Sequence, residues 1–494
     1  MSFEELIMNE KIKNLGQIFT PDWIVNLILD RLEYNGSKIL GKYILEPGCG
    51  DGNFLFQIVT RYIKSARASN YNKEKIKKDL EKYIYGIEID DLAYKSCLNR
   101  LDKLSRIHSI IGVKWNIKHA DILDINFNNL PKFDFVVGNP PYVRIHNLDK
   151  RKIKEIKTRF DFCRSGIIDL FLVFFEIGIL SLNQSKGRLG FITPNSFIHN
   201  STYVNFRKFL SDRGLIKEVI NFKENIVFDS ASTYNAVTIL DTGRTGKIID
   251  YYEYQVGKIN YIDRIDLTKQ DLKKWNFASN EDTKFLEKLK QYKNKISDFA
   301  TVQYGFATLS DGIYTIKDNN IFQCFEGEDQ ILYPLVKASR YDGREAPWKI
   351  IYPYLKKGNK WEPVLESELK NRFPRIFSYL LSKKELLERR SVDKKNRFWY
   401  EYGRSQGVQT MHNKKLVISP ILKDKVKVFK VDENVMVYSG IYLFIKEGSK
   451  YNLDDFIKII GSNDFLKYAR IVGKDMRGGY KNINTKAIKD YPVF

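Results

Sequence analysis

The chain has few of the residues that build metal centres and covalent staples. Its 494 residues include only four cysteines and five histidines. Cys49, Cys97, Cys163 and Cys324 form no CxxC pair, and no histidine stands at zinc-ligand spacing from them. This excludes a disulfide scaffold and a zinc module. It predicts a reducing, cytoplasmic setting and no metal. Long apolar runs are also missing. The most apolar stretch, Ile167 to Leu182, contains Asp169 and Glu176 and is short for a membrane span, so it reads as a buried helix. Met1 to Asn14 lacks the apolar core of a secretory leader. No membrane partner is expected. Repeats and low-complexity tracts are absent as well.

What is present is a large apolar and aromatic content with an excess of positive charge. Hydrophobic residues make up 43% and aromatics 14%, enough to fill the cores of two or three domains. Lys and Arg number 82 against 60 Asp and Glu, giving +22. The excess is uneven: residues 370–430 alone carry roughly +12 by direct count. A basic globular chain of this kind is a candidate for nucleic acid.

Strand and helix patterns alternate through the first half. Apolar runs at Tyr43–Leu45, Tyr83–Ile87, Trp115–His119, Phe133–Val137, Arg188–Asn195, Leu215–Phe222 and Asn235–Leu240 read as strands, with helical patterns between the first of them. That is the signature of a doubly wound, Rossmann-like α/β sheet. A helix is expected before Gly16, and Thr20 is expected to cap a second helix that has Pro21 at its first position. The pattern weakens after residue 242. The expected organisation is a catalytic domain over 1–250, a linker region over 251–295 and a mixed α/β domain over 296–494.

The ends of the first four strands carry the chemistry. The first runs into Glu46-Pro47-Gly48-Cys49-Gly50-Asp51-Gly52, a glycine turn that opens a helix and lets a ligand approach the backbone. The turn has no phosphate-binding cation, and Glu46 precedes it. A cofactor with an ammonium and no phosphate fits better than a dinucleotide. Glu88 ends the second strand, placed to accept from ribose hydroxyls. Asp121 follows the third, placed to accept from an adenine amino group. The fourth ends in Gly138-Asn139-Pro140-Pro141-Tyr142. Two prolines there fix the backbone and remove two donors, leaving carbonyls as acceptors. The Asn139 oxygen and the Pro140 carbonyl can accept both protons of an exocyclic amine, and Tyr142 can stack on its ring.

In this order the motifs resemble the amino-group DNA methyltransferases of the TaqI-like γ arrangement. Gly16 to Pro21, EPGCGDG, Gly86 to Asp90, Ala120 to Ile122 and NPPY look like that family's motifs. So do Gly190 to Asn195 and Phe228 to Ala236. The resemblance implies a Rossmann-like domain that binds S-adenosylmethionine, followed by a mixed α/β target-recognition domain. It implies cofactor contacts from Thr20, Pro21, Glu46, Gly48, Gly50, Glu88, Asp121 and Asn139. Asn139, Pro140 and Tyr142 would hold a flipped adenine in double-stranded DNA, with Phe228 on its other face and N6 as methyl acceptor. Gln303 to Thr308, Asn396 to Arg404 and the closing Gly478 to Val493 look more loosely like the recognition domain. DNA contacts are expected from Arg389, Arg390, Arg397, Trp399 and Arg404. A bland reading of residues 389–404 is an aromatic core with solvated basic ends. The resemblance also implies the modification component of a restriction-modification system, with or without a separately encoded endonuclease.

Four rivals stand beside this reading, one of them a non-catalytic DNA-binding module, which the intact acceptor cluster disfavours. A protein-glutamine methyltransferase also uses NPPY but needs no large basic second domain. N4-cytosine chemistry more often has Ser where Asn139 stands. Asp149 with Glu155-Ile156-Lys157 is a loose nuclease pattern inside a helical run.

Overall fold

In the computed structural model, residues 19–143, 149–164, 169–228, 233–255, 257–317, 323–392 and 396–493 are described. The expected helix before Gly16 and part of the segment after Phe228 lie outside them. The chain divides into two compact units, Met1–Asn280 and Glu281–Phe494.

The first unit is built on one nine-stranded sheet. Its strands are β1 (Ile44–Glu46), β2 (Ile84–Glu88), β3 (Asn116–His119), β4 (Phe135–Gly138), β5 (Arg188–Pro194), β6 (Ile216–Asn221), β7 (Asn235–Asp241), β8 (Ile248–Gln255) and β9 (Lys258–Asp266). The spatial order is 3-2-1-4-5-7-6-8-9. Strands β3, β2, β1, β4 and β5 are mutually parallel, and β7 runs antiparallel between β5 and β6. The order reverses between β1 and β4, and ligands bind outside the carboxyl ends of strands at such a point.

Alternation along the central strands feeds two cores. Leu45 and Val136 pack with Phe171 and Phe175 of the apolar helix on one face. Ile44, Phe135 and Val137 pack on the other with Ile24, Phe54 and Ile58. Each such side chain stabilises the fold by about 1.5–3 kcal/mol when buried. The helices on the second face are α1 (Asp22–Arg31), α2 (Asn53–Ala68), α3 (Lys73–Tyr83) and α4 (Asp91–Ile107). On the first face, α5 (Lys150–Arg159) precedes the apolar α6 (Leu170–Ser181). Glu176 is the one acidic residue in α6. Its carboxylate accepts from the Asp161 and Phe162 amides, both at 2.9 Å. No described helix is long and apolar enough to cross a membrane.

Two expectations need correction. Residues 251–266, assigned to a linker, complete β8 and form β9, the edge hairpin of the main sheet. Their pattern is weak because β9 is covered on little of its length. Thr20 does not cap α1. Pro21 holds the capping position, and the Thr20 hydroxyl is used elsewhere.

The second unit contains two four-stranded sheets. One joins Ala300–Tyr304, Ile441–Ile445, Lys415–Ile418 and Val428–Val431; the other joins Thr315–Ile316, Trp348–Ile351, Leu332–Lys337 and Met436–Tyr438. Its core is rich in tyrosine, and several of the buried hydroxyls donate to backbone carbonyls. Tyr402 donates to the Ile351 carbonyl at 2.7 Å, Tyr352 to Val408 at 3.0 Å and Tyr314 to Tyr400 at 2.8 Å.

Candidate active site

The carboxyl ends of β1, β2 and β4 bring the first group of side chains together. Glu46, at the end of β1, is 3% exposed. Its Oε2 is buried with no hydrogen-bond partner among the described residues. Burial pushes its carboxyl well above the usual carboxylate range, and Cys97, Asp51 and Glu88 add in the same direction. A buried carboxylate oxygen without a donor is costly. It suits a ligand that brings an ammonium or N–H.

The glycine turn divides into two roles. A Cβ on Gly48 would stand 3.1 Å from the Phe174 ring of α6, so glycine there serves packing. Gly50 has φ +52°, and the space where its Cβ would lie is open. That is where a ligand can approach the backbone. Glu88 Oε2 accepts from the Gly50 amide at 2.7 Å, and Oε1 accepts from Asp90 N at 2.8 Å. Glu88 therefore holds the glycine turn in shape. Burial raises its pKa.

Asp121 is already engaged. Oδ1 accepts from Leu123 N at 3.0 Å, and Oδ2 pairs with Lys152 Nζ of α5. Accepting from a ligand amine would compete with this ion pair. The rival nuclease pattern dissolves in the same helix. Asp149 caps α5 through Arg151 N at 2.6 Å, and Glu155 faces Arg159 one turn on.

Asn139 is half-buried directly after β4. Its Nδ2 donates to Thr20 Oγ1 at 3.0 Å, which turns Oδ1 to the opposite side. Thr20 is itself 4% exposed, and its carbonyl accepts from Asn53 Nδ2. Asn53 Oδ1 accepts in turn from Arg100 at 3.0 Å, and Arg100 pairs with Asp51 at 2.6 Å. The chain Arg100–Asn53–Thr20–Asn139 thus ties α4, the glycine turn and the start of α1 to the amide after β4. Asn53 and Arg100 were not singled out from sequence. The available signal was an Asn opening a helix immediately after the glycine turn.

Pro140 is buried, and Tyr142 is half-buried with its hydroxyl 3.4 Å from the Ile192 carbonyl. Phe228 reaches Tyr142, whereas Phe222 packs on Trp23 and Tyr254. The Tyr142 and Phe228 rings meet edge-on, with centroids 6.2 Å apart at 66°. A sandwiched base needs two parallel faces roughly 7 Å apart, twice the contact distance of carbon atoms. The expected sandwich is therefore closed here, and one ring has to swing for a flat group to enter.

The five expected DNA contacts separate sharply. Arg389 is exposed and paired with Glu385 within one helical turn, and Arg397 is exposed. Arg390 instead donates to the carbonyls of Leu387, Thr308, Trp399 and Glu401, and lies over the Tyr314 ring. It is a staple inside the second unit. Trp399 and Arg404 are half-buried. Tyr400 and Tyr402 between them are fully buried. Within 396–404, Tyr400 and Tyr402 belong to the core and Phe398 and Trp399 pack against it, in line with the bland reading.

A parallel-rich α/β sheet with ligand-facing groups at its switch point defines the class, and sequence comparison narrows it. The family model described as Eco57I restriction-modification methylase matches residues 62–228. The chain is 26% identical to the Type II methyltransferase M.BstVI of Geobacillus stearothermophilus, over 94% of this chain and 87% of that one. It is also 26% identical to the Type II restriction enzyme and methyltransferase RM.Eco57I of Escherichia coli, over 96% of its length but 56% of that protein. In fold it resembles the Type IIL restriction-modification enzyme MmeI, solved in complex with DNA. The TM-score is 0.64 at 15% identity, covering 99% of this chain and 65% of that one. The chain is thus similar in sequence to Type II methyltransferases of restriction-modification systems. Its first unit has a Rossmann-like mixed α/β fold built on a central parallel-rich sheet.

Proposed function

We propose that the chain transfers a methyl group from S-adenosylmethionine to N6 of an adenine in double-stranded DNA, as the modification activity of a restriction-modification system. The observation that carries this reading is the Asn139 amide, fixed by Thr20 and followed by two prolines and Tyr142. In this reading residues 1–250 form the catalytic domain and residues 296–494 the target-recognition domain.

The residues present fit the cofactor. Glu46 offers a buried, undonated oxygen to its ammonium, the open face of Gly50 admits it, and Glu88, at the end of β2, shapes the glycine turn beside its ribose. Asp121 accepts from the adenine amine once Lys152 has moved. When bound, the cofactor supplies an electrophilic methyl on a sulfonium. The target base leaves the duplex and enters as the Tyr142 and Phe228 rings part. Asn139 Oδ1 and the Pro140 carbonyl accept the two amine protons. This draws the nitrogen toward sp³ character and localises its lone pair for direct in-line attack. Positioning does most of the work. The proton shed by the methylated nitrogen passes to water. No nucleophilic side chain is required, and Cys49 packs in the turn.

The test is incubation of the purified chain with S-adenosylmethionine and unmethylated plasmid, followed by hydrolysis to nucleosides and mass analysis. N6-methyladenine is expected. N4-methylcytosine would move the acceptor to cytosine. Methylation of a glutamine-bearing protein with DNA untouched would replace the reading altogether.

A further inference from the structure

With Arg390 committed to the interior, base reading in the second unit must come from other cations. The turn from Ser339 to Pro347 offers them. It joins the antiparallel strands Leu332–Lys337 and Trp348–Ile351. A cavity of about 460 Å³ lies against it, lined by Arg340, Tyr341, Asp342, Arg344, Glu345 and Pro347.

The turn is pinned from inside. Tyr341 is 7% exposed and meets the Phe429 ring edge-on at 5.1 Å, and its hydroxyl donates to the Arg344 carbonyl at 2.6 Å. Gly343 has φ +93°, and a Cβ there would stand 2.8 Å from Phe429, so the tip lies flat on that ring. Lys427 Nζ donates to the Ser339 carbonyl at 3.3 Å. The outward side chains make few contacts, and Asp342 Oδ1 accepts from Arg344 N at 3.2 Å. Arg340 and Glu345 have no side-chain partner among the described residues. Arg344, with 89% of its side chain exposed, faces only Asp342, at 3.7 Å.

We infer that this rigid turn reads G·C base pairs in the major groove of duplex DNA, with Arg340 and Arg344 on guanine and Asp342 and Glu345 on cytosine. The inference rests on the proposed action on DNA. Charge decides between bases and phosphates. Two arginines and two acids give the turn no net charge, in a chain of +22. Phosphate tracking draws its affinity from net positive charge, and interleaved carboxylates oppose it. Base edges reward the mixture, because guanine presents two acceptors to a guanidinium fork and cytosine N4 donates to a carboxylate. Such forks need fixed presentation, which Tyr341 and Gly343 supply.

The experiment compares the full chain with Arg344→Ala and Arg340→Ala. For each, the methylated sequence is read from the DNA of an expressing host, and bound sequences are recovered from a random duplex pool. Binding is then measured against salt. The wild type should yield a motif with at least one fixed G·C pair. Each variant should lose about tenfold or more of the discrimination at one such pair, in the pool as well as in the host. The salt slope should stay unchanged, as should S-adenosylmethionine affinity. An unaltered motif would overturn the inference. So would equal weakening on all sequences with a shallower salt slope, which would make these arginines phosphate contacts. A wild type that selects and methylates no DNA would instead overturn the function on which the inference rests.

Discussion

At the scale of single residues, burial decides which charged groups do chemistry and which hold the fold. Glu46 and Arg390 show both outcomes. Glu46 is driven toward its neutral form by burial, so the folded state binds a proton that the unfolded chain has already lost above about pH 4.5. The sign follows from linkage: stability falls as pH rises from the unfolded pKa through the raised folded one. An ammonium ligand favours the ionised form, so its affinity rises through the same window. Urea unfolding and calorimetry across pH should show both trends in the wild type, and Glu46→Gln should flatten both.

Arg390→Ala should destabilise the second unit by about 2–4 kcal/mol, since several carbonyls lose a charged donor. Arg389→Ala, at an exposed pair, should change stability by less than about 0.5 kcal/mol. Urea midpoints of the two variants test the contrast. From sequence these neighbours were indistinguishable, because an Arg-Arg pair does not say which member points inward. Lys152 is a third case. Its pair with Asp121 is partly exposed and worth at most about 1 kcal/mol. Lys152→Ala should therefore tighten S-adenosylmethionine binding by no more than about fivefold in calorimetry. Weaker binding would mean that Lys152 helps the ligand rather than blocking it.

At the scale of elements, the first seven strands lie within two residues of where the apolar runs put them. Parallel strands covered on both faces read as continuous apolar stretches, so they were legible. The β8–β9 hairpin was not, because an edge strand with little cover lacks that signal. The hairpin has a use that no periodicity reveals. Asn195 Nδ2 donates to Asn221 Oδ1 at 2.9 Å, Asn221 Nδ2 to the Tyr251 hydroxyl at 3.2 Å, and Tyr251 to Glu253 at 2.9 Å. Glu253 pairs with Lys223 at 2.6 Å, and Asn221 Oδ1 also accepts from Lys223 N at 2.9 Å. This buried chain ties β5, β6 and β8 to the start of the segment that carries Phe228. Asn221→Ala should lower the methyl-transfer rate at least tenfold through misplacement of Phe228, while cofactor affinity stays within about twofold. Stopped-flow transfer assays beside calorimetry would show it, and equal losses in both would point to general unfolding instead.

At the scale of the whole molecule, the strand–helix alternation pointed to a doubly wound sheet, and the composition to a basic, aromatic second half. The first reading named its candidate residues from local motifs, since glycine turns and NPPY are local in sequence. The second did not. Tyrosines that could stack on bases fill a core instead, and several of their buried hydroxyls donate to backbone carbonyls. Which arginines face outward is fixed by tertiary packing, and no spacing encodes it.

The central claim is that the Asn139 amide, set by Thr20, accepts the reacting amine. It is tested most directly by single-turnover methyl transfer with Asn139→Ala, beside DNA and S-adenosylmethionine affinities for the same protein. Loss of an acceptor used mainly in the transition state lowers the rate and spares binding. A rate reduced by about a hundredfold or more is expected, with both affinities within about threefold of wild type. A rate within tenfold of wild type would contradict it.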